Sequence, residues 1–97
     1  MPTYVTLMNL TKKGLEDIKN APERVAQTEK VLEQMGSKLL AFYMVMGEYD
    51  YVAISEGPSD EVAMTVLMML GLQGNVRTVT MKAFRLEEMA AIINKLP

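Results

Sequence analysis

The chain has 97 residues, a formal net charge of −2, and neither histidine nor cysteine. This length predicts a single domain, residues 1–97, with its own hydrophobic core. Without imidazole or thiol groups, Ser-His-Asp and Cys-His catalysis are excluded, and zinc, copper and iron–sulfur sites lose their usual ligands. No EF-hand loop or phosphate-binding motif is present either. We therefore expect no cofactor and no metal.

The charge pattern and the apolar runs limit the choice of partners. Basic and acidic residues are interspersed along the chain, which argues against nucleic acid, since its partners usually need a basic face. The longest apolar runs are far shorter than a membrane-spanning helix requires, and the N-terminus lacks the pattern of a signal peptide. A cytoplasmic protein without a membrane partner is the expectation.

The first half of the chain predicts a strand followed by a helical region. Residues 3–10 are rich in β-formers, and residues 11–36 carry apolar side chains at helical spacing. Pro22 lies inside that pattern, so we expect a kink or a restart there, with Asn20 as the new N-cap. Gly36 is the predicted C-terminal stop.

The second half predicts two strands, a helix, a strand and a final helix. In chain order these are residues 37–47, 48–57, 58–74, 75–84 and 86–96. A tight hairpin at Gly47 is expected to join the first two strands, and Ser59 to cap the helix that follows.

The order of elements is β-α-β-β-α-β plus a C-terminal helix, which is the ferredoxin-like α+β arrangement. Right-handed crossovers then predict a four-stranded antiparallel sheet in the order 4-1-3-2. Both main helices lie on one face, so the other face needs its own cover.

Both faces of that sheet carry apolar side chains, which predicts assembly. We expect Val52, Ile54, Val79 and Met81 to face the helices, and the opposite parity to form the open face. A monomer would leave this mixed patch in water, whereas a two-fold homodimer with stacked sheets would bury it. The interface candidates are Tyr43, Tyr49, Tyr51, Thr78, Thr80 and Lys82. The helix at 58–74 is apolar nearly all round, which favours burial or assembly beyond the dimer.

Two sequence blocks resemble a known family. Gly47, Tyr49 and Asp50 match the Gly-x-Tyr-Asp signature of the GYD-domain family, and residues 74–78 are similar to its second characteristic stretch. The resemblance covers nearly the whole chain. It implies a place in the dimeric α/β-barrel superfamily, whose members include cofactor-free monooxygenases, isomerases, haem enzymes and amino-acid-sensing domains. For the GYD family itself it implies no established activity.

Three polar residues are the ligand-binding candidates. Asn9, Asp50 and Arg77 lie at strand ends that the topology brings to one end of the sheet, and their parity predicts convergence at the rim of the sheet–helix layer. One interpretation is a structural Asp50–Arg77 ion pair, because buried charges need partners. The other is a site for a small polar or anionic ligand.

The sequence leaves the function open between classes. The preferred hypothesis is a homodimeric small-molecule-binding or regulatory module with a ligand cleft between sheet and helices. The alternative is a cofactor-independent enzyme, similar to a monooxygenase or isomerase, that uses Asp50, Arg77 and tyrosines. A structural or partner-binding role is the third.

Overall fold

A computed structural model, which describes residues 1–97, shows a four-stranded antiparallel sheet in the order β2-β3-β1-β4. The elements in chain order are β1 (Thr3–Leu10), α1 (Lys12–Glu16), α2 (Ala21–Gln34), β2 (Lys38–Met44), β3 (Tyr51–Glu56), α3 (Asp60–Gln73), β4 (Val76–Ala83) and α4 (Leu86–Ile93). Helix α2 packs over β2, and α3 packs over β4. The predicted ferredoxin-like α+β fold and its strand order are confirmed.

Local signals set the helix boundaries. The predicted break before Pro22 occurs, with a 3₁₀ turn at Ile18–Asn20 between α1 and α2. Asn20 occupies the N-cap position, but its side chain donates to Asp17 and does not cap the helix. Ser59 caps α3 as predicted, since its hydroxyl accepts from the N–H of the third helical residue at 3.2 Å.

The connection between β2 and β3 is longer than predicted. The prediction of a tight hairpin is wrong, because β2 ends at Met44 and β3 begins at Tyr51, which leaves a six-residue loop. The loop closes through the Val45 N–H, which donates to the Asp50 carbonyl at 2.9 Å. Gly47 has φ +115°, a conformation that favours glycine.

The assignment of the two sheet faces is also corrected. Tyr4, Thr6 and Met8 of β1 point toward the helices, and the residues beside them in the ladders share that face. The partners are Ser55, Ala53 and Tyr51 in β3, and Lys82, Thr80 and Thr78 in β4.

Val52, Ile54, Val79 and Met81 therefore lie on the open face, with Val79 50% exposed. The prediction was wrong because both faces are apolar, so parity alone did not tell which one the helices cover. Four interface candidates consequently lie on the helix side instead of the open face: Tyr51, Thr78, Thr80 and Lys82. Tyr43 stands opposite Val52 on the open face, and Tyr49 lies in the β2–β3 loop.

Few side chains of the chain are deeply buried. Only 11 of 97 residues are buried, and no large side chain is less than 2% exposed. All residues from Phe84 onward, including the whole of α4, are exposed. None of the helices has both the length and the apolar character needed to span a membrane.

Candidate functional site

A cleft of about 130 Å³ lies between the sheet and the helices α2 and α3. Fifteen of its 25 lining residues are hydrophobic. Met8, Tyr51 and Ala53 form a buried cluster on the sheet side, with Phe42 packed against them. The centroids of the Phe42 and Tyr51 rings lie 5.1 Å apart. Because the opposite wall carries helix side chains such as Leu32, the cleft is an apolar space inside the fold.

A short row of hydroxyl groups crosses the cleft floor. The Thr6 and Thr80 hydroxyls are hydrogen-bonded at 3.0 Å across the β1–β4 ladder. Tyr4 lies one row further along β1, where its ring is buried and its hydroxyl reaches α3. These groups are the polar side chains that a molecule in the cleft would meet on the β1–β4 side.

Tyr4 anchors a polar cluster at the mouth of the cleft. Its hydroxyl donates to Asp60 Oδ1 at 2.5 Å, and Lys82 Nζ lies 3.3 Å from the same oxygen. Burial and the hydrogen bond to Asp60 raise the pKa of Tyr4 to about 12. The hydrogen bonds from Tyr4 and Lys82 lower the pKa of Asp60. The cluster therefore holds a neutral phenol between an apolar space and an exposed ion pair.

An outer basin adjoins this mouth between α3 and β4, with a volume of about 520 Å³. It shares Tyr4, Ala63, Leu67 and Thr80 with the inner cleft. Its outer wall is Met64 and Met68, which are 54% and 66% exposed. The inner cleft and the exposed basin along α3 are therefore neighbours that share these side chains.

The three predicted ligand-binding residues do not line the cleft. Asn9 and Arg77 stand opposite each other in the β1–β4 ladder, with the parity of the open face. The Asp50 carboxylate accepts the Leu10 N–H at 2.8 Å, while the Asp50 N–H donates to the Met8 carbonyl. The Asp50 side chain therefore continues the hydrogen bonding between β1 and β3 beyond the last paired residue of β3.

The Asp50–Arg77 ion pair that was one interpretation of the sequence does not form. The reason is geometric, since the Asp50 carboxylate is occupied by a backbone N–H and Arg77 projects from the open face. No cluster of three acidic side chains suited to a metal ion is present.

Sequence reasoning missed Tyr4 and Asp60, which are 56 residues apart in the chain. One signal was available. Tyr4 has the parity of Thr6 and Met8, so it faces the helices together with that row of side chains.

The fold and its cleft define a ferredoxin-like α+β domain in which two helices cover one face of the sheet. A crystal structure of FFRP-DM1 has this fold, with a TM-score of 0.59 and 20% identity over 87% of this chain and all of that chain.

The model of the GYD domain matches residues 4–93, and the chain belongs to this family. A protein of Thermus thermophilus, described as a glutamine synthetase and cystathionine beta-lyase binding protein, is 32% identical over 92 residues. That match covers 94% of this chain and 97% of the relative. The crystal structure of TTHA0845 from the same organism has a TM-score of 0.54 and 26% identity, over 88% of this chain and 95% of that chain.

Proposed function

We propose that the protein is a homodimeric module that binds a small molecule in the cleft between its sheet and helices. The observation that carries the proposal is the apolar cleft of about 130 Å³ between the sheet and the helices. Protein interiors are normally close-packed, so a space of this size inside a small domain is costly unless a ligand fills it.

The lining defines the class of ligand. A dry cavity of about 150 Å³ lined by apolar side chains accommodates benzene, so this cleft suits one ring or a branched chain of similar size. The hydroxyls of Thr6 and Thr80 offer one hydrogen-bonding position. Of the nearby cations, Arg24 is bound to Asp17 and Lys82 to Asp60. A neutral ligand with one polar end therefore fits better than an anion.

The dimer is supported by the open face of the sheet. Val5, Leu7, Val52 and Ile54 share that face with the half-exposed Val79. Stacking two such faces about a two-fold axis would remove this patch from water.

A second candidate function is binding to an enzyme. The Thermus relative is described as binding two enzymes, and this chain exposes Met64, Met68 and Leu72 along α3. Ligand occupancy of the cleft would then regulate the contact. The test is direct binding of this protein to the purified glutamine synthetase and cystathionine beta-lyase of its own organism, with and without a cleft ligand. If the protein binds neither enzyme, this candidate function is excluded.

The enzymatic alternative has less support. Its acid–base candidate Asp50 is hydrogen-bonded to the backbone, and neither Asp50 nor Arg77 reaches the cleft. A catalytic base must lie within hydrogen-bonding distance of the proton it takes.

The cleft is tested by titration with p-cresol, a ring with one hydroxyl group, and with toluene, which lacks it. We expect saturable binding of one p-cresol per chain, weaker binding of toluene, and a higher melting temperature with either ligand. Ala53→Leu places three carbon atoms in the cleft and should weaken p-cresol binding at least tenfold. Ala26→Leu, which adds the same atoms on the exposed surface of α2, should not. Failure of the wild-type chain to bind either probe would contradict the proposal.

A further inference from the structure

The C-terminal helix α4 has an apolar stripe that nothing in its own chain covers. Leu86, Met89, Ile92 and Ile93 are all between 46% and 72% exposed. The radius of gyration is 14.8 Å, against about 12.5 Å for a compact chain of this length. An isolated helix of eight residues is not stable in water. Helix α4 therefore needs a partner surface.

The start of α4 is nevertheless held in place. Arg85 Nη2 lies 2.9 Å from Glu56 Oε2 at the end of β3. The Arg85 N–H donates to Glu88 Oε1 at 3.0 Å, which caps the helix. The chain thus fixes where α4 leaves the sheet while its apolar side remains uncovered.

The open sheet face is small for the whole of a stable dimer interface. Four strands spaced by about 4.8 Å, with about six paired residues each, give a flat footprint of roughly 400 Å². A stable interface buries about 800 Å² per partner. The apolar stripe of α4 is a further large uncovered surface, and it follows directly on β4, an edge strand of this sheet.

Charges on the two surfaces complement each other. Arg77 is exposed on the open face and has no carboxylate within 4 Å, and Glu87 in the first turn of α4 has no cation within 4 Å. Arg77 lies near the start of β4, and α4 leaves from the end of the same strand. In two stacked sheets, a two-fold axis that lies between them and runs perpendicular to the strands would place the end of β4 in one copy over the start of β4 in the other.

We propose that α4 is an arm that packs across the open sheet face of a second copy, with Glu87 paired to the partner's Arg77. The inference rests on the homodimer proposed above and adds a specific contact to it. It assigns Arg77 to assembly, and it accounts for the apolar stripe of α4 and for the area that the sheet lacks.

A charge exchange tests the pairing. Glu87→Arg and Arg77→Glu should each raise the dimer dissociation constant about tenfold, because each replaces an attraction with a repulsion. The double variant should return to within about twofold of the wild type. Glu61→Arg, at an exposed acidic position on α3, is the matched control and should leave dimerisation unchanged. Sedimentation velocity at several protein concentrations measures all four.

The apolar contact is tested separately by Ile93→Gln. Its side chain is 50% exposed in the monomer, so the variant should dimerise more weakly, and it should keep the far-ultraviolet circular dichroism of the wild type at concentrations where it is still dimeric. A wild-type chain that stays monomeric at micromolar concentration would overturn the dimer and the arm together. A stable dimer that none of these variants weakens, or that the charge exchange does not restore, would overturn the arm alone.

Discussion

Filling the cleft should stabilise the protein, and the structure gives the magnitude. Ala53 lies on the cleft floor beside Phe42, and its side chain points into a space of about 130 Å³. Ala53→Leu adds three carbon atoms, each contributing about 0.8 kcal/mol when buried. Ordering the leucine side chain costs about 0.5–1 kcal/mol. The expected net gain in the free energy of unfolding is therefore about 1.5 kcal/mol.

Thermal unfolding measures this gain. For a chain of this size, about 1.5 kcal/mol corresponds to a rise in melting temperature of roughly 6–12 °C. Protein concentration is held constant, because the melting temperature of an oligomer depends on it. The exposed Ala26→Leu control should change stability by less than about 0.5 kcal/mol. A loss of about 1–3 kcal/mol for Ala53→Leu is the signature of overpacking and would show that the cleft is not free space.

Three further predictions concern the scaffold and the mouth of the cleft. A Cβ at Gly14 would lie 2.0 Å from a backbone carbonyl oxygen, whereas one at Gly71 would meet nothing within 4 Å. In urea unfolding, Gly14→Ala should therefore be destabilised by more than about 2 kcal/mol. Gly71→Ala should be stabilised by about 0.5–1 kcal/mol. Equal effects of the two substitutions would contradict the close packing of α1. Asp50→Ala removes the acceptor for the N–H at the end of β1 and should cost about 1–2 kcal/mol, while Asp50→Asn keeps an acceptor oxygen and should cost less. The lowered pKa of Asp60 stabilises the fold above the unfolded value of 3.8, and this contribution is lost as pH falls through the lower folded value. Melting curves between pH 2 and 7 should show that Tyr4→Phe loses less stability on acidification than the wild type does. A pH profile identical to that of the wild type would contradict the role of the Tyr4 hydroxyl.

The fold could be predicted because its signals are local. Strand β1 was delimited by its composition, α3 by the Ser59 cap, and the break before α2 by Pro22. The strand order then followed from chain connectivity and crossover handedness. Each inference needed only neighbouring residues or a general topological rule.

The hairpin and the sheet faces depended on longer-range facts. The Asp50 side chain accepts a hydrogen bond from β1, 40 residues away, which takes it out of β3 and lengthens the loop. An extra residue at Leu40 shifts the register of β2 and changes which of its side chains face the helices. In the other strands, the buried face includes Thr6 and Thr80, whereas the open face includes Val79. Hydropathy therefore favoured the wrong face.

The two sequence blocks of the family meet at one end of the sheet, where only Asn75 and Val76 of the second block line the cleft. Gly47 shapes the loop and Asp50 holds the end of β1, while Arg77 stands beside Asn9 on the open face. None of these residues lines the cleft, so the signature belongs to the scaffold and, by our proposal, to assembly. Variants at Asp50 and Arg77 should therefore alter stability or dimerisation while each folded chain keeps its affinity for p-cresol. Ala53→Leu should instead weaken p-cresol binding and leave dimerisation unchanged. Loss of p-cresol binding in a folded, dimeric Arg77→Gln variant would instead return the signature to the ligand site.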